Sequence, residues 1–392
     1  MYDLLIKGGR VLDPALGLNA DLDVAITDGL VASVAADIPE TEALRSIRVP
    51  GKTVVPGLID FHVHVYEAVN PRGLNPDSAG VRAGVTTVVD AGSAGPFNFG
   101  GFPKYVLPYC KTEVVCFMHV GRHGLVSLPE IRGPEDIDAD EAIKIAAQYK
   151  GQIHGLKVRM VNPALENMGM DLARIAKDIG RQTGLPLMVH IGDPHAKVGQ
   201  KSVLTELLDI LDEGDILTHL FTSHHGGVLD ANGKLYPQVK AAVERGVLFD
   251  TGHGRFNFSF DVGQRLLDQG MAPDCASTDL TIPGREVVHS MVETLTRFMA
   301  LGFTLEQTIE MATIKPARAM NADDRLGTLK PGHQGDVTVL DIQQGKWKVI
   351  DSDGQSQTVE QAMIPFVTVK RGEVITPDWG PRPWGWLPDP VD

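Results

Sequence analysis

Two histidines separated by one residue, His62-Val63-His64, close an almost wholly apolar run that starts Val54-Val55-Pro56-Gly57-Leu58-Ile59. Residues i and i+2 of a strand share a face, so both imidazoles aim at one point, as joint ligation of a divalent ion requires. Such a pair also arises by chance on strand edges and alone decides nothing. The apolar lead-in, however, sets it at the C-terminal end of a buried strand, where α/β proteins keep their chemistry. Four more polar residues end apolar runs: Lys157 in Gly155-Leu156-Lys157-Val158-Arg159, His190 in Met188-Val189-His190-Ile191, His219 in Leu217-Thr218-His219-Leu220, and Asp279 in Ser277-Thr278-Asp279-Leu280. Each has an ordinary alternative: a lysine snorkelling to a rim, a hydrogen-bonded core histidine, an aspartate capping a helix. Jointly, at strand ends on one face, they make a candidate metal site.

These residues need a scaffold that repeats strand and helix. Apolar strand candidates fall at 58–65, 85–90, 113–120, 153–158, 185–191, 215–220, 247–250 and 274–277, with helical patterns at 171–183, 201–212, 236–245, 259–269 and 285–301. Alternating units predict a parallel sheet, and eight of them predict a (β/α)8 barrel over residues 55–326. The flanks read differently. Short β-rich runs broken by Gly8-Gly9, Asp13-Pro14 and Asp28-Gly29 suit antiparallel hairpins, and the same style resumes at 327–341, 347–350 and 367–370. Residues 1–54 and 327–392 are therefore expected to join as one small β-sandwich domain, with the Pro- and Trp-rich tail from Pro377 extended and docked.

The chain has 392 residues, 43% apolar and 22% charged, ample for a large core. A net charge of −14 argues against nucleic-acid binding, and no run approaches the length of a membrane span. The N-terminus lacks the features of a secretory signal, so the expected location is the cytoplasm. Three cysteines without a CxxC suggest neither a disulfide framework nor a thiolate metal site.

His62-x-His64, Lys157, His190, His219 and Asp279, in this order on the first, fourth, fifth, sixth and eighth strands, resemble the binuclear site of the amidohydrolase superfamily. Asp90-Ala91-Gly92-Ser93-Ala94-Gly95, Gly155 to Arg159, Val189 to Gly192, Asp250-x-Gly252-His253-Gly254 and Ser277 to Leu280 are similar to its dihydroorotase-like deacetylase branch. The resemblance implies a carboxylated Lys157 whose CO2-derived carbamate bridges two divalent metal ions, His62, His64 and Asp279 holding one and His190 and His219 the other. A lysine buried at an apolar strand end has its pKa lowered, which frees the amine for CO2. Nitrogen and oxygen donors without thiolate fit Zn2+, with Mn2+ or Fe2+ as alternatives.

The chemistry expected is hydrolysis. Water activated between the ions attacks an acyl carbonyl, and Asp279 takes its proton and passes it to the leaving group. The expected substrate is a small N-acyl amino acid or O-acyl hydroxy acid bearing a carboxylate, and the alternative is ring opening of a cyclic amide. An inactive scaffold is disfavoured because every ligand position is filled. His253 is expected to bind or orient substrate. Arg159 stands equally as a carboxylate fork or as half of a structural ion pair. Arg122, His123, His224 and His225 receive no role, and assembly as a homo-oligomer stays open.

Overall fold

The computed structural model describes residues 1–391. Seven parallel strands follow one another in space as in sequence: β1 (Leu58–Val63), β2 (Val85–Ala91), β3 (Glu113–His119), β4 (Ile153–Arg159), β5 (Leu187–His190), β6 (Ile216–Thr218) and β7 (Leu248–Asp250). Each is nearly or fully buried on both faces, which explains why they read as unbroken apolar runs rather than alternating ones. Helices between them include Asp171–Thr183, closed by Gly184 at φ +70°, Leu204–Ile210, Pro237–Glu244 and Phe260–Leu267.

The eighth position departs from the expectation. Residues 274–280 form no regular strand but close the barrel through single bridges, Asp250 to Cys275 on one side and Val63 to Leu280 on the other. The seam is reinforced by His253 N donating to Ser277 O at 3.0 Å and Asp279 N donating to His62 O at 2.6 Å. Asp60, buried in β1, accepts from Thr278 N at 3.0 Å and Thr278 Oγ1 at 2.6 Å. Burial raises this carboxyl to about 7 in spite of both bonds. Freed from a full ladder, Asp279 adopts φ +47°, a conformation a regular strand excludes.

Both chain ends enter a second, nine-stranded sheet, in which Thr53–Pro56 lies between Leu4–Asp13 and Val337–Ile350. This sheet is mixed, correcting the antiparallel reading of residues 2–50: Leu4–Asp13 pairs in parallel with both Ser46–Arg48 and Thr53–Pro56. At its junction with the barrel, Lys370 bonds Asp336 at 2.7 Å and Glu113, at the start of β3, at 3.1 Å.

The helical pattern over 285–301 is two helices, Arg285–Val288 and Met291–Ala300. His289 breaks it at φ +63°, and Ser290 caps the second helix by accepting from Glu293 N. Glu293 is buried against Arg297 at 3.0 Å and also receives Arg382 from the tail. The tail is extended as expected: Asp389–Pro390 pairs with Trp347 and Lys348, and Trp386 is buried.

Candidate metal centre

The C-terminal mouth of the barrel brings His62, His64, Lys157, His190, His219 and Asp279 together around a cavity of about 370 Å³, whose wall they form except for His219, fully buried behind His190. His62, His64 and Asp279 each offer a ligand atom, all within 4.8 Å of one another. Asp279 Oδ1 lies 3.1 Å from His64 Nε2 and 3.5 Å from His62 Nε2. Lys157 Nζ is 3.2 Å from the same His62 Nε2, and His219 Nε2 is 2.7 Å from His190 Nδ1. The two clusters meet where the His62 and His219 rings face each other, 5.2 Å apart.

The remote ring nitrogens fix which atoms face inward. His219 Nδ1 lies 2.6 Å from Gly252 O, and since a carbonyl only accepts, Nδ1 carries the proton and Nε2 presents a lone pair. Thr218 Oγ1 donates to Asp250 Oδ2 at 2.6 Å, so its lone pairs face His62 Nδ1 at 3.0 Å and His62 too turns Nε2 inward. Ser93 Oγ, 2.9 Å from His64 Nδ1, does the same for the third ring. Carboxylate, hydroxyl and carbonyl partners of this kind hold ligand histidines in place in metal sites generally. His190 Nδ1 lies 2.7 Å from the inward His219 Nε2, which makes it the inward atom, while its Nε2 is buried without a partner among the described residues.

Backbone geometry is spent on this arrangement. His219 sits at φ +77° and Asp279 at φ +47°, both left-handed and both non-glycine, the kind of strain that clusters at functional sites. Gly92, at φ +90°, packs against Lys157, where a Cβ would come within 2.7 Å of the Lys157 Cβ. Lys157 is 1% exposed. Burial, partly opposed by Asp279 and Asp250, brings its ammonium down to about 7. Burial likewise lowers His219 to about 3 and pushes His62 and His190 far below the usual imidazole range, so these rings are neutral donors at physiological pH. Burial pushes the Asp279 carboxyl up, but His62, His64 and His219 outweigh it and keep the group ionised.

The donor set fits a pair of divalent ions: neutral imidazole nitrogens, one carboxylate, and an amine able to become a carbamate, with no thiolate. Without a cation, the inward imidazole nitrogens of four histidines and a carboxylate would face one another in a buried space, an arrangement with large desolvation costs.

The remaining expectations fare unevenly. Arg159 lines the cavity and bonds Glu130 at 3.1 Å, so the structural ion pair is present. His253 is not among the residues lining the cavity: it is fully buried and stacked on Phe258 at 4.5 Å, with Nδ1 2.8 Å from Gly254 O and Nε2 without a partner among the described residues. Arg122 and His123 lie over Phe97, away from the cavity, and His225 faces a separate small hollow. The sequence reading missed Thr218 and Asp250 as supports of His62, signalled only by polar residues interrupting buried strands. It also missed Arg72 and Arg255, loop cations on the cavity wall.

A barrel closed this way, with histidines, a buried lysine and an aspartate at its C-terminal mouth and a composite sheet beside it, defines a metal-dependent hydrolase. The profile of the amidohydrolase family matches residues 221–375. A deacetylase of Enterococcus faecalis is 32% identical over 379 residues, covering 95% of this chain and 99% of its own. Among solved structures, one described as an adenine deaminase superposes with TM-score 0.88 at 31% identity, over 96% of this chain and 100% of its own. Another, described as a dihydroorotase, gives TM-score 0.84 at 28% identity, over 96% and 99%. The chain belongs to the amidohydrolase superfamily, in the branch whose relatives are named deacetylase and dihydroorotase, and is a hydrolase acting on C–N bonds.

Proposed function

We propose that the protein removes an acyl group, acetyl foremost, from a small carboxylate-bearing N-acyl amino acid or O-acyl hydroxy acid, using two Zn2+ ions bridged by a carbamate on Lys157. The observation that carries the reading is Lys157 itself: a fully buried amine at about 7, within 3.2 Å of His62 Nε2. In its neutral form it can take up CO2, and the carbamate would add oxygen donors to the imidazole nitrogens of the site. His62, His64 and Asp279 would hold one ion and His190 and His219 the other. When bound, such ions polarise an acyl carbonyl and lower the pKa of a water toward neutrality.

Asp279 would take the proton of the attacking water and return it to the departing nitrogen or oxygen. Its position at the seam, open to the cavity while its histidine neighbours are buried, suits a group that must meet substrate. Arg159 lines the same cavity as a cation held by Glu130. The deacetylase relative supports acyl release. The dihydroorotase-like neighbour keeps cyclic-amide opening as the second reading, since the same cluster could serve it. Deamination of a neutral base fits less well with three arginines on the cavity wall and a lysine among the ligands.

Incubating the zinc-loaded enzyme with N-acetyl amino acids, acetylated hydroxy acids and dihydroorotate tests the reading. Acetate release from the first two sets is expected, and ring opening without acyl release would overturn it.

A further inference from the structure

Two guanidiniums on the wall of the metal-site cavity form no ion pair among the described residues. Arg72 lies in the loop after β1 and Arg255 in the loop after β7, and among the described residues neither has a carboxylate within 4.0 Å. Arg159, by contrast, is matched by Glu130. Asp279 is the one carboxylate among the cavity's lining residues, and it faces the histidines.

Both arginines are exposed at the mouth, and an exposed arginine is ordinarily a solvated surface charge. Their anchored backbones set these two apart. Arg72 N donates to Asn70 Oδ1 at 2.9 Å and Ile282 N donates to Arg72 O at 2.9 Å, while Asn70 Nδ2 donates to Ser93 Oγ at 3.4 Å, the hydroxyl that steadies His64. On the other side, Gly254 N donates to Thr278 O at 2.8 Å, and Asn257 N donates to His253 O at 3.1 Å. Arg255 thus stands between two fixed points beside the segment that carries Asp279. Partial burial lowers the Arg72 guanidinium and repulsion from Arg159 acts in the same direction, while Glu130 and Asp279, neither within ion-pair distance, partly offset both.

We propose that Arg72 and Arg255 select a substrate whose leaving group is a dicarboxylate, one carboxylate for each unpaired guanidinium. An acylated dicarboxylic amino or hydroxy acid is the class that satisfies both. This rests on the acyl-hydrolase reading only for where the scissile bond lies. The cavity volume of about 370 Å³ is within the range of small-molecule sites.

The test is calorimetric titration of the zinc-loaded enzyme with glutarate and valerate, equal in carbon count and differing by one carboxylate, in wild type, Arg72→Gln and Arg255→Gln. Wild type should bind glutarate roughly tenfold tighter, and each substitution should weaken glutarate about five- to tenfold, more than valerate, with metal content unchanged. Equal binding of the two acids by wild type, or variants that keep the full preference, would overturn the assignment. Parallel kcat/KM values for N-acetylglutamate and N-acetylnorvaline separate the two claims. Acetate release without dicarboxylate preference defeats this inference alone, whereas dicarboxylate-selective binding without acyl release defeats the acyl-hydrolase reading alone.

Discussion

Replacing Lys157 by Met removes the amine while roughly keeping the volume of its aliphatic stem. An ordinary lysine, with a pKa of about 10.4, is neutral in about one molecule in a thousand at pH 7.5. Held at about 7, Lys157 is neutral in roughly three of four, a gain of nearly three orders of magnitude in the form that reacts with CO2. Two outcomes follow. Reconstituting metal-free wild type should need dissolved CO2 or bicarbonate, with metal uptake falling from two ions toward one or none in CO2-depleted buffer. Lys157→Met should hold at most one ion under any buffer and lose about 10³ or more in turnover, on the order of 4 kcal/mol of transition-state stabilisation. Plasma emission spectroscopy on desalted protein gives the metal count, and acetate release gives the rate. A Lys157→Met protein with two tightly bound ions and wild-type turnover would refute the reasoning, as would reconstitution indifferent to CO2.

Asp279→Asn should fold and keep part of its metal yet lose about 10² to 10⁴ in turnover; unaltered turnover would remove the aspartate from the proton path. Thr218→Val takes away the hydroxyl between Asp250 and His62, so zinc affinity should fall about 10- to 100-fold in chelator competition while the fold survives. In the metal-free protein, Lys157 is lowered to about 7, so between pH 7 and about 10.4 the unfolded chain binds the extra proton and stability rises with pH across that window. Urea titrations of the metal-free form should show this rise, and Lys157→Met should flatten it. Glu293→Gln leaves buried Arg297 without its ion-pair partner and weakens the Arg382 tail contact, which keeps only Asp389 at 3.7 Å, and should cost about 3 kcal/mol in urea unfolding; a change within about 0.5 kcal/mol would show that the cluster contributes little.

Much of the barrel was legible because its strands are buried on both faces and its helices amphipathic. Asp171–Thr183 was read to the residue, since Gly184 ends it in the left-handed conformation. The break at His289 was not, because no Gly or Pro marks it and the apolar pattern runs on through it. Parallel pairing of Leu4–Asp13 with Thr53–Pro56 depends on partners about 40 residues away, which local turn chemistry does not report. The inward-facing site residues were readable because each interrupts an apolar strand end. Arg72 and Arg255 were not, since loop conformation alone puts them on the cavity wall, and the motif position of His253 says nothing of which way its ring turns.

The irregular closure of the barrel bears on how such a scaffold can acquire a reactive acid. In a pleated strand, alternation dictates which side chains point inward, and a carboxylate must take the slot that parity allots. Because residues 274–280 are held by irregular hydrogen bonds rather than by a regular ladder, the chain can turn over at Asp279 and deliver its oxygen where parity would not. Regularising that stretch with β-branched residues would strengthen the wall and swing the acid away, so here catalytic reach and barrel completeness pull against each other.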